Sequence, residues 1–370
     1  MKQLLLLAGI ALLCFADSGN DYLTAQTLNT QSEHADSPNL NPPSKHLNTL
    51  HWMFRIYEDN DFLNARGCGT DDAYTNGTRL DYFYQPLHPP KNPIDHILPK
   101  AGAHSLNIYG WGIMQLMYTP QNITDPAYQP DDYPWSGALF ATHTLYSYNP
   151  VKKYDLQTEL ELGVIGPAAL AQQAQTGFHR LIHYFKPQGW NHQYPNDILA
   201  NVNVTAERQL AGNGSNIEWI GGSRLTAGTM MNSLTLYPLL RLGRMNPYFK
   251  GLFTQFASTG RNTRHHKNWQ LYFICRPEVQ FIVSEAVLQG GMFTRNPNMA
   301  VNTAPAKPQQ QPPVPPEPYH PINHVVFASN FGAVASIGDV SISFNQNSST
   351  AMMKGLYSHE VGNISLYFGW

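Results

Sequence analysis

Two short segments hold the side chains of this chain that can do chemistry near neutral pH. The first is Gly166-Pro167, followed by Ala168-Ala169-Leu170-Ala171-Gln172-Gln173-Ala174-Gln175-Thr176-Gly177-Phe178-His179-Arg180. Pro in a first turn and the Ala, Leu and Gln content predict a short helix. Gln175 and His179, four residues apart, share one of its faces. Imidazole titrates near neutrality, so His179 is the candidate general base; a solvent-facing His on a surface helix would show the same spacing. The second segment holds Glu58-Asp59-Asn60-Asp61, then Gly67-Cys68-Gly69, Asp71-Asp72 and Tyr74-Thr75-Asn76-Gly77. Carboxylate and amide oxygens around Gly-rich turns suit a hard cation such as Ca²⁺. The spacing is not that of an EF-hand, and plain turn chemistry uses the same residues. Tyr74-Thr75-Asn76-Gly77 reads as the turn that starts a strand.

Both segments lie between β-strands. The strand before the helix is the clearest: Tyr154, Leu156, Leu160, Leu162 and Val164 alternate with Asp155, Gln157, Glu159 and Glu161. Side chains of a strand point to opposite faces at each step. Carboxylates cannot face lipid cheaply, so Glu159 and Glu161 should face a polar lumen. Residues 50–60 put Trp52, Phe54 and Ile56 on one face, and 105–118 put Leu106, Ile108, Met114 and Leu116 on one side. In 198–207, Ala200, Val202 and Val204 alternate with Asn201, Asn203 and Thr205. Further strand signals fall at 78–85, 135–148, 217–227, 231–242, 269–285, 323–336, 339–345 and 354–370. At the C-terminus, Ile364, Leu366, Phe368 and Trp370 alternate with Asn363, Ser365, Tyr367 and Gly369. A soluble protein seldom ends in mid-strand on Trp, whereas a barrel must pair its last strand with its first. The expected fold is all-β: a transmembrane antiparallel β-barrel of about twelve strands with one short extracellular helix.

The N-terminus agrees. Met1-Lys2-Gln3 and the apolar run 4–15 read as a signal peptide, residues 1–16, cleaved after Ala16. The run is shorter than the roughly 20 residues a spanning helix needs. Residues 17–47 are polar and Pro/Asn/Ser-rich and read as a flexible periplasmic arm, with the barrel at 48–370 and a Pro/Gln-rich loop at 301–321. The basic run 261–267 reads as a solvated turn. Only 13% of residues are charged and the formal net charge is −2, which gives no basis for nucleic-acid binding. Cys68 and Cys275 fall in a loop and a strand, and no disulfide between them is expected. With an even strand number and periplasmic termini, connections after odd strands are extracellular. Residues 61–77 and 166–197 would then lie on the same outer side of a monomer inserted by the barrel assembly machinery.

Several motifs occur in order: Asn60-Asp61-Phe62, Asp72-Ala73-Tyr74-Thr75-Asn76-Gly77, Tyr118-Thr119-Pro120, Gly163-Val164-Ile165-Gly166-Pro167, Gln175-Thr176-Gly177-Phe178-His179-Arg180 and Gly189-Trp190. In this order they resemble the outer-membrane lipid A 3′-O-deacylase family, over about residues 50–210. The resemblance implies a twelve-stranded barrel with its active site between the outer rim of the wall and a short helix. It implies a calcium-dependent esterase acting on lipid A, the lipid anchor of lipopolysaccharide, in the outer leaflet of the outer membrane. By motif position, Asn60, Asp61 and Thr75 would be the wall-side residues and the cation ligands, with Gln175 and His179 on the helix side. His179 would deprotonate a water that attacks the ester carbonyl, and Ca²⁺ would stabilise the oxyanion. Where the family carries an acidic residue six positions after this His, the chain has Phe185. A weaker cation site is therefore expected, with Asp59, Asp71 or Asp72 as the acids available to compensate. An outer-membrane phospholipase and a non-catalytic channel or structural barrel are the alternatives, since a fold does not fix a substrate.

Overall fold

Twelve stretches of alternating side chains become twelve strands: β1 (Trp52–Asn60), β2 (Ala73–Tyr84), β3 (Leu106–Thr119), β4 (Ser136–Asn149), β5 (Tyr154–Ile165), β6 (Asp197–Gly212), β7 (Ile217–Gly228), β8 (Met231–Arg244), β9 (Trp269–Glu285), β10 (Val325–Ile337), β11 (Val340–Ser349) and β12 (His359–Gly369). The computed structural model describes residues 52–65, 73–86, 90, 92–257, 267–294 and 320–370. The expected signal peptide and arm, Cys68, Asp71, Asp72, residues 261–266 and 301–319 lie outside the described residues. Four short helices join the strands: α1 (Pro93–Ile97), α2 (Ala171–Leu181), α3 (Leu252–Phe256) and α4 (Ala286–Gln289). None among the described residues is long and apolar enough to cross a membrane.

Each strand pairs antiparallel with its sequence neighbours, and β12 returns to β1, so the sheet is a closed barrel. The closing seam runs from Met53 opposite Gly369 to Asn60 opposite Gly362. Trp52 and Trp370 extend it by exchanging main-chain hydrogen bonds of 3.3 and 3.1 Å. The C-terminal alternation thus does what its pattern demands.

One expected strand boundary that differs is that of β2, which begins at Ala73 and not at 78. Tyr74-Thr75-Asn76-Gly77 is therefore strand and not the turn before it. Glu58, Asp59 and Asn60 belong to β1, as the expected strand over 50–60 has them. Polar residues near the rim read as loop because apolar alternation stops there, but main-chain pairing with β1 and β3 continues.

The faces follow the alternation. Glu159 and Glu161 line a central cavity of about 600 Å³ inside the barrel, while Leu162 on the opposite face is 64% exposed. Arg79 is paired inside with Asp81 (2.8 Å) and Glu159, and Arg55 reaches Asp81 at 2.6 Å. Unpaired, these buried charges would each be costly. Apolar clusters stand at both ends of the lumen. At the end with the termini, Phe249, Leu252 and Phe253 pack on Met53, Phe83 and Tyr367. At the other end, Val287 and Leu288 of α4 pack with Tyr118, Phe140 and Met353. Outside the wall, α1 lies against β3 and β4, with Asp95 bonded to His143 Nε2 at 2.7 Å.

Leu160, mid-strand on the outward face of β5, should not tolerate a charge. Leu160→Lys should destabilise the barrel by about 2–4 kcal/mol in lipid vesicles, as measured by denaturant titration. Glu161→Gln, on the lumen face and accepting from Asn203 at 2.8 Å, should change it by less than about 1 kcal/mol. Equal effects would mean that β5 is out of register.

Candidate active site

The outward face of β1 is apolar through Trp52, Phe54 and Ile56 and then turns polar at Glu58 and Asn60. At the strand's end, Asn60 Oδ1 accepts a hydrogen bond from Phe62 N at 2.8 Å and caps a 3-10 turn over Asp61–Leu63. The cap folds the chain back against the rim and leaves Asp61 only 6% exposed. On the neighbouring strand the register shifts between Tyr74 and Asn76, so Thr75 is an extra, bulged residue. A bulge re-aims side chains. Here it lets two successive residues, Thr75 and Asn76, line the same outer cavity. Thr75 Oγ1 lies 2.7 Å from Thr119 Oγ1 on β3.

The helix reaches this wall by a kinked path. Gly166 has φ +94, and the Pro195 carbonyl would collide with any Cβ there. Pro167–Ala169 form a 3-10 turn, and Leu170, left-handed at φ 60, separates it from α2. The Pro therefore starts the 3-10 turn and not the α-helix, a correction to the single helix expected. Gln115 Nε2 donates to Ala169 O at 2.6 Å. Gly137 on β4 faces Ala171, where a Cβ would overlap the Ala171 methyl. Small residues on both sides let the helix lie directly on the barrel.

That contact buries the helix face holding Gln175 and His179, at 4% and 5% exposure, so His179 is not a solvent-facing surface residue. Its Nδ1 lies 2.6 Å from the Phe185 carbonyl oxygen. A carbonyl only accepts, so in the neutral ring Nδ1 carries the proton and Nε2 the lone pair. Tyr184 stands edge-on to the imidazole at 5.1 Å. Gln175 Oε1 accepts from Trp190 Nε1 at 2.8 Å, and Trp190 is itself wedged against Trp135.

Asn60, Asp61, Thr75, Gln175 and His179 all line one cavity of about 710 Å³ between the wall and α2, on the outward face of the barrel. Apolar Phe62, Met117, Phe178 and Ile182 share it. Asp59 is not among them. It faces the lumen, held by Tyr57 (2.6 Å), Tyr74 (3.1 Å) and Asn363 (3.0 Å), so it cannot replace an acid on the other side of the wall. The Phe185 side chain is 65% exposed and does not line the cavity; what this position supplies is the main-chain oxygen that orients His179. Glu58, Asn76 and Thr78 were not singled out from sequence as site residues, yet they line the cavity. Their signal was present: a carboxylate at the next outward position after Trp52, Phe54 and Ile56.

Among the described residues, no three His, Cys, Asp or Glu side chains gather as a metal cluster. The wall side instead offers one buried carboxylate with amide and hydroxyl oxygens, a donor set that fits a hard cation.

The family described as "Outer membrane protein LpxR" matches residues 22–370. Among solved structures, LpxR from Salmonella typhimurium superposes with a TM-score of 0.64 at 19% identity, covering 85% of this chain and 99% of that one. At that identity the likeness shows the fold. The β domain of the Bordetella autotransporter BrkA is more distant, with a TM-score of 0.38 and 9% identity over 86% of this chain and 98% of that one. No curated protein sequence matches the chain.

Gly137→Val should leave the barrel closed while pushing α2 off the wall. Amides of residues 174–182 should then exchange with deuterium at least tenfold faster than in the parent, with strand amides unchanged. Unchanged exchange in α2 would show that the helix does not depend on this contact.

Proposed function

The chain belongs to the LpxR family of outer membrane proteins, the lipid A 3′-O-deacylase family that its motifs resemble. On that premise we propose that it is a calcium-dependent esterase that removes the 3′-linked acyl or acyloxyacyl chain from lipid A in the outer leaflet. The observation that carries this reading is the burial of His179 and Gln175 against Asn60, Asp61 and Thr75 in one cavity on the lipid-facing side of the wall. A lipid substrate reaches that side without leaving the membrane.

The residues divide the work by position. His179, its Nδ1–H fixed on the Phe185 carbonyl, takes a proton from water at Nε2, and the hydroxide so formed attacks the ester carbonyl carbon. The Gln175 amide, held through Oε1 by Trp190, lines the cavity beside His179 and would help to position the ester. Asp61, Asn60 and Thr75 would hold the cation, and Ca²⁺ when bound there supplies positive charge beside the oxygen that becomes negative. When the tetrahedral intermediate collapses, the bond between the acyl carbon and the sugar oxygen breaks. His179 returns its proton to that oxygen, and the fatty acid is released, giving its remaining proton to water to become a carboxylate.

The competing channel reading has less support, because it leaves the outer-wall cavity and its buried His179 without a role. A phospholipase would use the same chemistry and is separated by its substrate. The protein is proposed to act as a monomer.

His179→Ala should reduce ester cleavage about 10²–10⁴-fold, with heat-modifiable gel mobility still reporting a folded barrel. Mass spectrometry of lipid A from cells with and without the protein should show loss of the 3′ chain. Release of fatty acid from glycerophospholipid alone would favour the phospholipase instead. Chelation should abolish activity, and Ca²⁺ should restore it. Phe185→Glu should leave the Ca²⁺ concentration for half-maximal activity unchanged, because that side chain points away from the cavity. A clear fall in that concentration would place position 185 among the cation ligands.

A further inference from the structure

Glu58 is a carboxylate on the outward face of a membrane-spanning strand, where ionisable side chains are costly and functional by default. It lines the catalytic cavity but is not among the residues assigned to bond cleavage. Its setting is built. Thr78, directly opposite on β2, donates from Oγ1 to Glu58 Oε2 at 2.7 Å, and Asn76 Nδ2 donates to Oε1. The second Asn76 N–H goes to the Asp59 carbonyl at 3.0 Å. Every donor of Asn76 and Thr78 is thus spent inside the protein. What this patch can offer a ligand is lone pairs: those of the carboxylate, the Asn76 amide oxygen and the Thr78 hydroxyl. An acceptor-only patch binds a hydrogen-bond donor.

The position along the wall says which donor. Glu58 precedes Asn60 by two residues, which places it about 7 Å further into the membrane along β1. An acyl chain whose ester carbonyl sat among Asn60, Asp61 and His179 would follow the same cavity, whose apolar lining includes Met117 and Phe178, toward Glu58. A plain acyl chain has no donor to give. An acyloxyacyl chain carries a second ester where a hydroxyl would be, and an ester only accepts. A chain with an unsubstituted hydroxyl two carbons from the scissile carbonyl donates one hydrogen bond at the right depth.

Building on the deacylase reading, we propose that Glu58, positioned by Asn76 and Thr78, makes this site selective for an ester-linked 3-hydroxyacyl chain whose hydroxyl is free. Glu58 is here a specificity residue: it recognises the chain and takes no part in bond cleavage.

The test uses the full chain purified in detergent and two synthetic lipid A substrates. Their 3′ ester carries either a 3-hydroxyacyl chain or the matching chain without the hydroxyl. The parent protein should have a higher kcat/KM on the hydroxylated lipid, by roughly tenfold to a hundredfold, the size of a hydrogen bond to a charged group. Glu58→Leu, which extends the apolar face of β1 and should fold, should abolish most of that ratio. Thr78→Val, which removes one of the carboxylate's two donors, should reduce it partly. The same ratio in parent and Glu58→Leu overturns the proposal. So does a rise in the Ca²⁺ requirement of Glu58→Leu that is equal on both lipids, which would make Glu58 a cation ligand. No hydrolysis of either lipid by the parent protein would overturn the deacylase reading itself, and the specificity with it.

Discussion

The structure depends on one requirement: in a lipid bilayer no main-chain N–H or C=O can be left without a partner. A sheet meets it only by closing, and closure rests on the pairing of β1 with β12. The site is built on that same seam. Asn60 is the last residue of β1 and stands opposite Gly362. The turn carrying Asp61 lies so close to β12 that the Leu63 carbonyl occupies the space a side chain at Gly362 would need. Ala65 N then donates to Gln346 Oε1 on β11 at 2.9 Å. Closing the barrel and placing the wall-side oxygens are therefore one event.

Closure also separates two environments that alternate along every strand. Inside, charges neutralise one another: Arg79 with Asp81 and Glu159, and Arg241 with Glu218. Apolar clusters pack at both ends, around a central cavity of about 600 Å³. The candidate site lies on the other surface, where polar groups are expensive. Neighbouring Glu58 and Asp59 illustrate the division, one held by Asn76 and Thr78 outside, the other by Tyr57, Tyr74 and Asn363 inside.

The helix side is held by close approach. Gly137 and Ala171 remove bulk where α2 meets β4, and Gln115 ties the preceding turn to β3. The two candidate side chains are then fixed by groups beyond the helix: Gln175 by Trp190, and His179 by the main chain at Phe185. A main-chain oxygen serves to orient a base as well as a carboxylate does, and it is indifferent to which side chain occupies the position. This is why the absence of an acid at 185 leaves the geometry of His179 intact.

The sequence by itself showed the barrel, about twelve strands and the alternating faces of several of them. Side-chain direction in a strand is set by the local backbone, with a period of two that can be read without knowing any partner. It also showed that Gln175 and His179 share a helix face, because that too is a local period. The structure decided whatever rests on a distant partner. That Thr75 and Asn76 both face the outer cavity depends on a bulge defined only by pairing with β3. That β2 starts at Ala73 depends on main-chain bonds that polar residues make as readily as apolar ones. Only the wall behind α2 turns His179 from a surface side chain into a buried one. Only the pairing of β1 with β2 sets Glu58 beside Thr78, a contact between residues 20 apart in sequence. Hydrogen bonds and burial are satisfied in space, by residues whose separation along the chain carries no period to read.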